Sequence, residues 1–409
     1  MDEEFNPSTT ACLHLVSAFL AMEPTDCLIS LARECGQGSI TMGVQSFIWK
    51  ECINRAASNI NRPSDSYIKN FLKKVILDVE SHCSDVLDGL YEQYAYYLTS
   101  LKDDSLMAAN NRVCKSISFL FPDGCLEGTR RPTSKLIVPL QCSLNMLKGD
   151  TGCSIWPSSL YLSEFVLSHP KLFSDKSCFE VGSGVGLVGM ILAYVKAKKV
   201  ILSDGDFSSL ANMKRNLEMN QLITGTDMSD RTIQDPHLVD CIHLPWESAS
   251  ESRLRDFRPD IVLGADVIYD PLCLPHLIRI LSIFLNPVES NPCQGKDAPE
   301  DNGLAFGSCL GRAVYGEASN TESQCDIAKK GTVAYIATVI RNLDTFHCFL
   351  KLTRENHLSV VDITETQKPL EFLSYMQSYN RSSVRLFSIS FSGDQNSSMV
   401  AIDDCKSGS

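Results

Sequence analysis

No two cysteines in this chain lie closer together than Cys27 and Cys35. Without a C-x-x-C pair, zinc ribbons and thioredoxin-like redox motifs are excluded. The 17 cysteines are odd in number and spread over 409 residues, so we expect buried, reduced thiols of a cytoplasmic protein rather than a disulfide framework. His237, Cys241 and His243 lack a fourth ligand at usable spacing, and no metal is expected there. Long apolar runs are missing too. Ala11 to Met22 is too short to span a bilayer and carries His14, so no membrane partner is expected. The opening Met1-Asp2-Glu3-Glu4 has neither the positive charge of a secretory signal nor the arginines of a mitochondrial presequence. Basic residues are in deficit: 37 Lys and Arg stand against 49 Asp and Glu, a net charge of −12. That balance excludes a surface built chiefly for phosphates, so no direct nucleic-acid partner is expected. A basic protein or a small molecule is the easier partner.

What is present suits a soluble globular chain with room for two domains: 44% hydrophobic and 21% charged residues. Residues 1–130 read as a helical N-terminal domain. The run from Ala11 has good N-caps in Ser8, Thr9 and Thr10. Ile68, Phe71, Leu72, Val75, Ile76 and Val79 follow helical spacing over 66–80, after a start signal at Pro63 and Ser64. The next stretch places Leu87, Leu90, Tyr91, Tyr94, Leu98 and Leu101 on one face. Pro122, Gly124, Gly128 and Pro132 mark a boundary.

From residue 131 to 409 the pattern changes. Strand-like 136–140 and 144–147 come first, then a helix opened by Pro157. Strands at 177–181, 199–203, 239–244, 260–265 and 332–340 then alternate with helices at 187–196, 207–220, 272–285 and 344–355. Such alternation predicts a parallel sheet covered by helices. Two final strands, 358–363 and 384–391, have no helix after the second, which predicts a hairpin-like antiparallel edge. Between 288 and 330 all periodicity is lost, and this stretch reads as a long mobile insertion.

The sharpest motif is Glu180-Val181-Gly182-Ser183-Gly184-Val185-Gly186, between a strand and a helix. Glycines there allow a tight turn and close approach to a ligand. Gly184, Gly186 and Gly189 also spell the dinucleotide fingerprint, and Asp204 stands where a ribose-binding carboxylate belongs. The glycines alone do not separate NAD from S-adenosylmethionine. Three details favour the latter. Glu180 suits a ligand with an ammonium and a sulfonium and would repel a pyrophosphate. The chain shows no second mononucleotide-binding half. Asp266-Val267-Ile268-Tyr269 places an acid and an aromatic at a strand's carboxyl end, facing the expected cleft.

Glu180 to Gly186 resembles motif I of class I methyltransferases. Asp266 to Tyr269 resembles the D-x-x-Y motif of the seven-strand protein-lysine methyltransferases, methyltransferase family 16. Ser154-Ile155-Trp156-Pro157 is similar to the segment upstream of motif I in that family, and Pro245-Trp246 to its adenine-side Trp. The likeness covers about residues 135–395. It implies an α/β fold with a Rossmann-like seven-strand sheet, and S-adenosyl-L-methionine as cofactor. It implies a cofactor lining of Trp156, Glu180, Gly182, Ser183, Gly184, Asp204, Trp246 and Ala265. Asp266 would orient the incoming amine and Tyr269 would lie near the same cation. The helical extension resembles the branch that methylates a lysine of translation elongation factor 2, which makes that factor the expected protein substrate of a monomeric enzyme. Two other readings stay open at this stage, an NAD-dependent oxidoreductase and a non-catalytic cofactor-binding module.

Overall fold

Strand β3 (Ser177–Val181) is buried along nearly its whole length, as a central parallel strand must be when helices cover both faces of a sheet. Its neighbours are β4 (Lys199–Asp204) on one side and β6 (Ile261–Ala265) on the other. The computed structural model describes residues 5–55, 62–100, 112–122, 135–143, 151–222, 239–286 and 331–392. With β5 (Val239–His243), β7 (Val333–Val339), β8 (Leu358–Asp362) and β9 (Val384–Phe391), the seven strands take the order β5-β4-β3-β6-β7-β9-β8. The first five are parallel. The antiparallel edge forms as expected, with one addition. The last strand in sequence, β9, slots between β7 and β8 and runs antiparallel to both. Residues 363–383 therefore make a long return rather than a tight turn.

The strand order reverses at β3. Its carboxyl end, with those of β4 and β6, opens a crevice of the kind in which such sheets bind ligands. One face of the sheet packs on α6 (Pro157–Ser168), α8 (Leu187–Tyr194) and α9 (Phe207–Met219). The other packs on α10 (Glu251–Phe257), α11 (Leu274–Leu285) and α12 (Leu343–Glu355). A short α7 (Pro170–Phe173) follows α6. The α10 helix was not expected from the sequence, since its seven residues bury only Leu254.

The N-terminal region contains α1 (Thr10–Leu20), α2 (Thr25–Cys35), α3 (Met42–Phe47) running on into a π-helical stretch (Ile48–Asn54), α4 (Asp65–Ser81) and α5 (Asp88–Ser100). Thr9 and Ser64 cap α1 and α4, accepting from Cys12 N and Tyr67 N. All six expected apolar positions of α4 are buried. On α5 the expected stripe is rotated: Leu90 and Tyr97 are buried, whereas Tyr91 and Leu98 are exposed. The stretch is not wholly helical. Arg112–Leu120 form strand β1, where Ile117 and Phe119 alternate into the core. It pairs antiparallel with β2 (Lys135–Ser143) at all nine positions, so the boundary expected near residue 130 falls between two paired strands.

This layer shares one hydrophobic core with α6 and with residues 363–379. The Tyr375 hydroxyl accepts from Ser118 N (2.9 Å), and Leu120 N donates to Phe372 O (2.8 Å). Buried Glu23 accepts from Ser378 through both its N–H (2.8 Å) and its hydroxyl (2.6 Å). Strand-like 144–147, His237 and the insertion expected at 288–330 lie outside the described residues. Among the described residues, no helix is long and apolar enough to cross a membrane.

Candidate functional site

The loop after β3 turns through positive φ at Gly182 (+63°), Gly184 (+53°) and Gly186 (+82°), a region costly for any residue with a Cβ. Space gives a second reason for glycine at two of them. A Cβ on Gly184 would lie 2.9 Å from Gly152 O, and one on Gly182 would meet Val267 (3.0 Å) and the Trp246 ring (3.4 Å). Ser183 ties the loop to the sheet and is itself buried. Its N–H donates to Ser203 O (2.9 Å), and its hydroxyl donates to Glu180 O (3.2 Å) and accepts from Ser203 N (3.1 Å). Its side chain therefore shapes the cradle from below.

Asp204, at the carboxyl end of β4, accepts from Gly184 N (3.0 Å) and Asp206 N (3.0 Å). Burial pushes its carboxyl above the ordinary range, and these N–H groups pull it back. The Thr151–Cys153 turn lies over the loop, and Thr151 O accepts from Trp156 Nε1 (3.1 Å). Glycine loop, Asp204, Trp246 and the 151–156 turn thus stand together at the reversal point of the sheet. Ala265 closes the end of β6 beside them.

Glu180 departs from its expected place. It is 1% exposed, and one carboxylate oxygen is buried without a hydrogen-bond partner. Burial pushes this acid up to about 8, with Ser183 and the Gly189 N–H opposing and the Asp204 charge adding to the rise. A neutral acid beneath the loop is poorly suited to meeting a ligand ammonium in the cleft.

Asp266 is also engaged differently from expectation. It sits in left-handed backbone (φ +54°), and its side chain is 4% exposed. Its Oδ1 accepts from Val339 N (3.1 Å) and Arg341 Nη1 (2.9 Å). Its Oδ2 accepts from Arg341 Nη2 (3.3 Å) and Ser158 N (3.4 Å), in the first turn of α6. Four donors leave this carboxylate joining β6, β7 and α6, not free to take an incoming amine. The Arg341 guanidinium also lies over the Trp156 ring, 5.0 Å from its centroid. Sequence reasoning missed Arg341. The available signal was a lone cation at a strand end, followed by the α12 cap Asn342. Tyr269 is 62% exposed, and its hydroxyl is raised by burial and by neighbouring Cys273, Asp204, Asp270 and Glu247.

Residues 138–293 match the profile of a family described as lysine methyltransferase. Mouse protein-lysine N-methyltransferase EEF2KMT is 31% identical over 58% of this chain and 63% of its own length. By these matches residues 138–293 resemble the lysine methyltransferase family. Protein-lysine N-methyltransferase EFM3 of Chaetomium thermophilum is 28% identical over 54% of this chain and 64% of its own. An uncharacterised Dictyostelium discoideum protein is 26% identical over 75% and 76%. The match therefore spans about three-fifths of the two named enzymes.

The site suits S-adenosylmethionine, the cofactor that this resemblance implies. A Cβ at Gly184 would clash with backbone and one at Gly182 would crowd Val267, and an acid closes the next strand. The metal-free expectation concerns a stretch only partly described. His243 there bonds Gly205 O (3.0 Å) and stacks on Phe207, with ring centroids 3.8 Å apart. Among the described residues no cluster could hold a metal ion.

Proposed function

We propose that this protein transfers a methyl group from S-adenosylmethionine to the side-chain amine of a lysine in a protein, with elongation factor 2 as the first candidate substrate. The observation that carries this reading is the cleft at the reversal point of the sheet, with a glycine cradle and Asp204 on one side and the Asp266–Arg341 corner on the other. Its rim suits a protein. Phe207, Tyr269, Leu272 and Leu343 all follow strand carboxyl ends and are each more than 60% exposed. Apolar side chains gathered at a cleft mouth favour a macromolecular partner. The excess of acid over base in the chain suits a basic one.

S-adenosylmethionine brings an already activated methyl group, so the chain's own residues have to bind, orient and exclude water. Gly182, Gly184, Asp204 and Trp246 would hold the adenosine side, and Trp156 and Ala265 the side toward β6. The remaining difficulty is the acceptor. A free lysine titrates near 10.4, so about one in a thousand is neutral at pH 7.4. A narrow, partly dry channel raises that fraction, and fixed orientation supplies much of the rest. An NAD-dependent reading is not favoured, because β9 and β8 complete the sheet where a second nucleotide-binding half would stand.

Purified protein incubated with labelled S-adenosylmethionine and elongation factor 2, followed by peptide mass spectrometry, tests this. Label on a lysine of that factor is expected. Label on a lysine of another protein in a cell lysate would change the substrate and keep the reaction. Label on arginine or on nucleic acid alone would overturn the reading.

A further inference from the structure

At the β6–β7 corner of the cleft a buried acid is paired with a part-exposed cation. Asp266 is buried, whereas the Arg341 side chain is 42% exposed. Two of its five N–H groups bind Asp266, and its face rests on Trp156. The guanidinium is therefore pinned on an edge and a face. Asp204 would hold the ribose side on β4, and this corner lies on the other side of β3.

The charged and titratable groups around the corner can be named element by element. On and after β6 they are Asp266, Tyr269, Asp270 and Cys273. After β7 they are Arg341 and Asp344. From β4 and β5 come Asp204, Asp206 and Glu247, and under the loop lies Glu180. On α6, Tyr161 and Glu164 are turned toward Arg381, which lies over the Tyr161 ring and donates to Glu164. On the β5 side His243 bonds Gly205 O, and from α11 Arg279 donates to Trp246 O and Ala249 O. Among the described residues Arg341 is the cation that bonds the Asp266 carboxylate, and the other groups named on and after β6 and β7 are acids, a tyrosine and a thiol. An acceptor lysine entering among carboxylates is held as ammonium, the form without a lone pair.

We propose that Arg341 is a positioning residue that neutralises Asp266 at the acceptor end of the cleft, so that the target lysine is received as a neutral amine. The inference rests on the lysine methyltransferase reading above. The lysine ammonium first gives one proton to water and becomes the neutral amine. Its lone pair then forms the nitrogen–carbon bond as the carbon–sulfur bond breaks, and the sulfur keeps that bond's electron pair. The positive charge passes from sulfur to nitrogen. A bare Asp266 would favour the ammonium before transfer and tighten the grip on it. Cancelling that charge removes the bias, while the Asp266 bonds to Val339 N and Ser158 N keep the wall in place.

The test compares wild type, Arg341→Met and Arg341→Lys across pH 6–10. It uses methylation of the protein substrate, calorimetric binding of S-adenosylhomocysteine, and calorimetric binding of a lysine-containing substrate peptide. In Arg341→Met the acid limb of kcat should move up by about one pH unit, lowering kcat about tenfold near neutral pH. KM should fall, and the peptide should bind more tightly at pH 7, while S-adenosylhomocysteine affinity is unchanged. Arg341→Lys should keep the wild-type limb. An equal loss of kcat at every pH would show a merely structural role and overturn the proposal. So would a loss of S-adenosylhomocysteine affinity, which would make Arg341 a cofactor ligand. If wild type modifies no lysine, the functional reading falls first. If it does and the limb stays put in Arg341→Met, only the role of Arg341 falls.

Discussion

Glu164 on α6 and Glu180 at the end of β3 are both glutamates with essentially no exposed surface, and they keep different company. Glu164 accepts from Phe372 N (2.8 Å), Leu373 N (3.2 Å), the Tyr379 hydroxyl (3.3 Å) and Arg381 Nε (2.9 Å). Glu180 has an orphaned oxygen and lies under three positive-φ glycines. Around Glu164 the polar groups are spent on holding the 363–383 return against α6, and the N-terminal layer bonds to the same return. Around Glu180 the chain tolerates an unpaired acceptor, as sites that must meet a ligand commonly do. The contrast separates a region that builds the fold from one that works.

The largest expected effect comes from removing the N-terminal layer. A fragment starting at residue 131 loses β1, and with it nine paired positions and the Ser118 and Leu120 bonds to the return. We expect an insoluble product or one without a cooperative thermal transition. A soluble fragment binding S-adenosylhomocysteine with full affinity would break the comparison and make residues 1–130 a separable domain.

Glu164→Gln comes next. It leaves the Arg381 guanidinium, only 17% exposed, without its anion. Breaking such a buried pair costs about 3–5 kcal/mol. Urea unfolding should show a midpoint lowered accordingly, with S-adenosylhomocysteine affinity retained in the folded protein. A change below about 1 kcal/mol would mean that the return is held by packing alone.

The buried acid under the loop predicts a pH signature. Glu180 is pushed up to about 8, against an ordinary glutamate near 4.3. Between those values the native state keeps a proton that the unfolded chain releases. Stability from this group is thus full below about pH 4.3 and is lost as pH rises toward 8. Thermal unfolding of wild type should fall by several degrees from pH 5.5 to 8.5, and Glu180→Gln should flatten that slope. Equal slopes in the two proteins would place the Glu180 carboxylate in water.

Local pattern made most of this legible. Strands β3 and β9 fall on the expected residues, and the glycine loop with Asp204 could be read because cradle and acid belong to adjacent strands. What escaped depends on pairing across the chain. Nothing in a linear pattern inserts β9 between β7 and β8, or shows that Arg341, 75 positions downstream, occupies the Asp266 carboxylate. The β1 strand escaped because its few inward apolar residues follow a long helical stretch. Glu180 looked like a ligand group because an acid beside glycines is visible in sequence and its burial is not.

The smallest effect on stability is expected at the cleft rim, where the comparison is sharpest. Leu272 is 82% exposed. Its backbone N–H donates to Asp270 Oδ1 at 2.9 Å. Leu272→Ser keeps that N–H and removes apolar surface that the folded chain leaves exposed. Stability should therefore change by less than about 0.5 kcal/mol, and S-adenosylhomocysteine affinity should be unchanged. If the rim docks a protein, KM for the intact substrate should rise several-fold with kcat nearly constant, because binding shared by ground and transition states is what has been lost. A short lysine peptide that does not reach the rim should lose nothing. Equal KM values for the intact protein in wild type and variant would remove Leu272 from the docking surface, and a matching loss with the short peptide would place it inside the lysine channel instead.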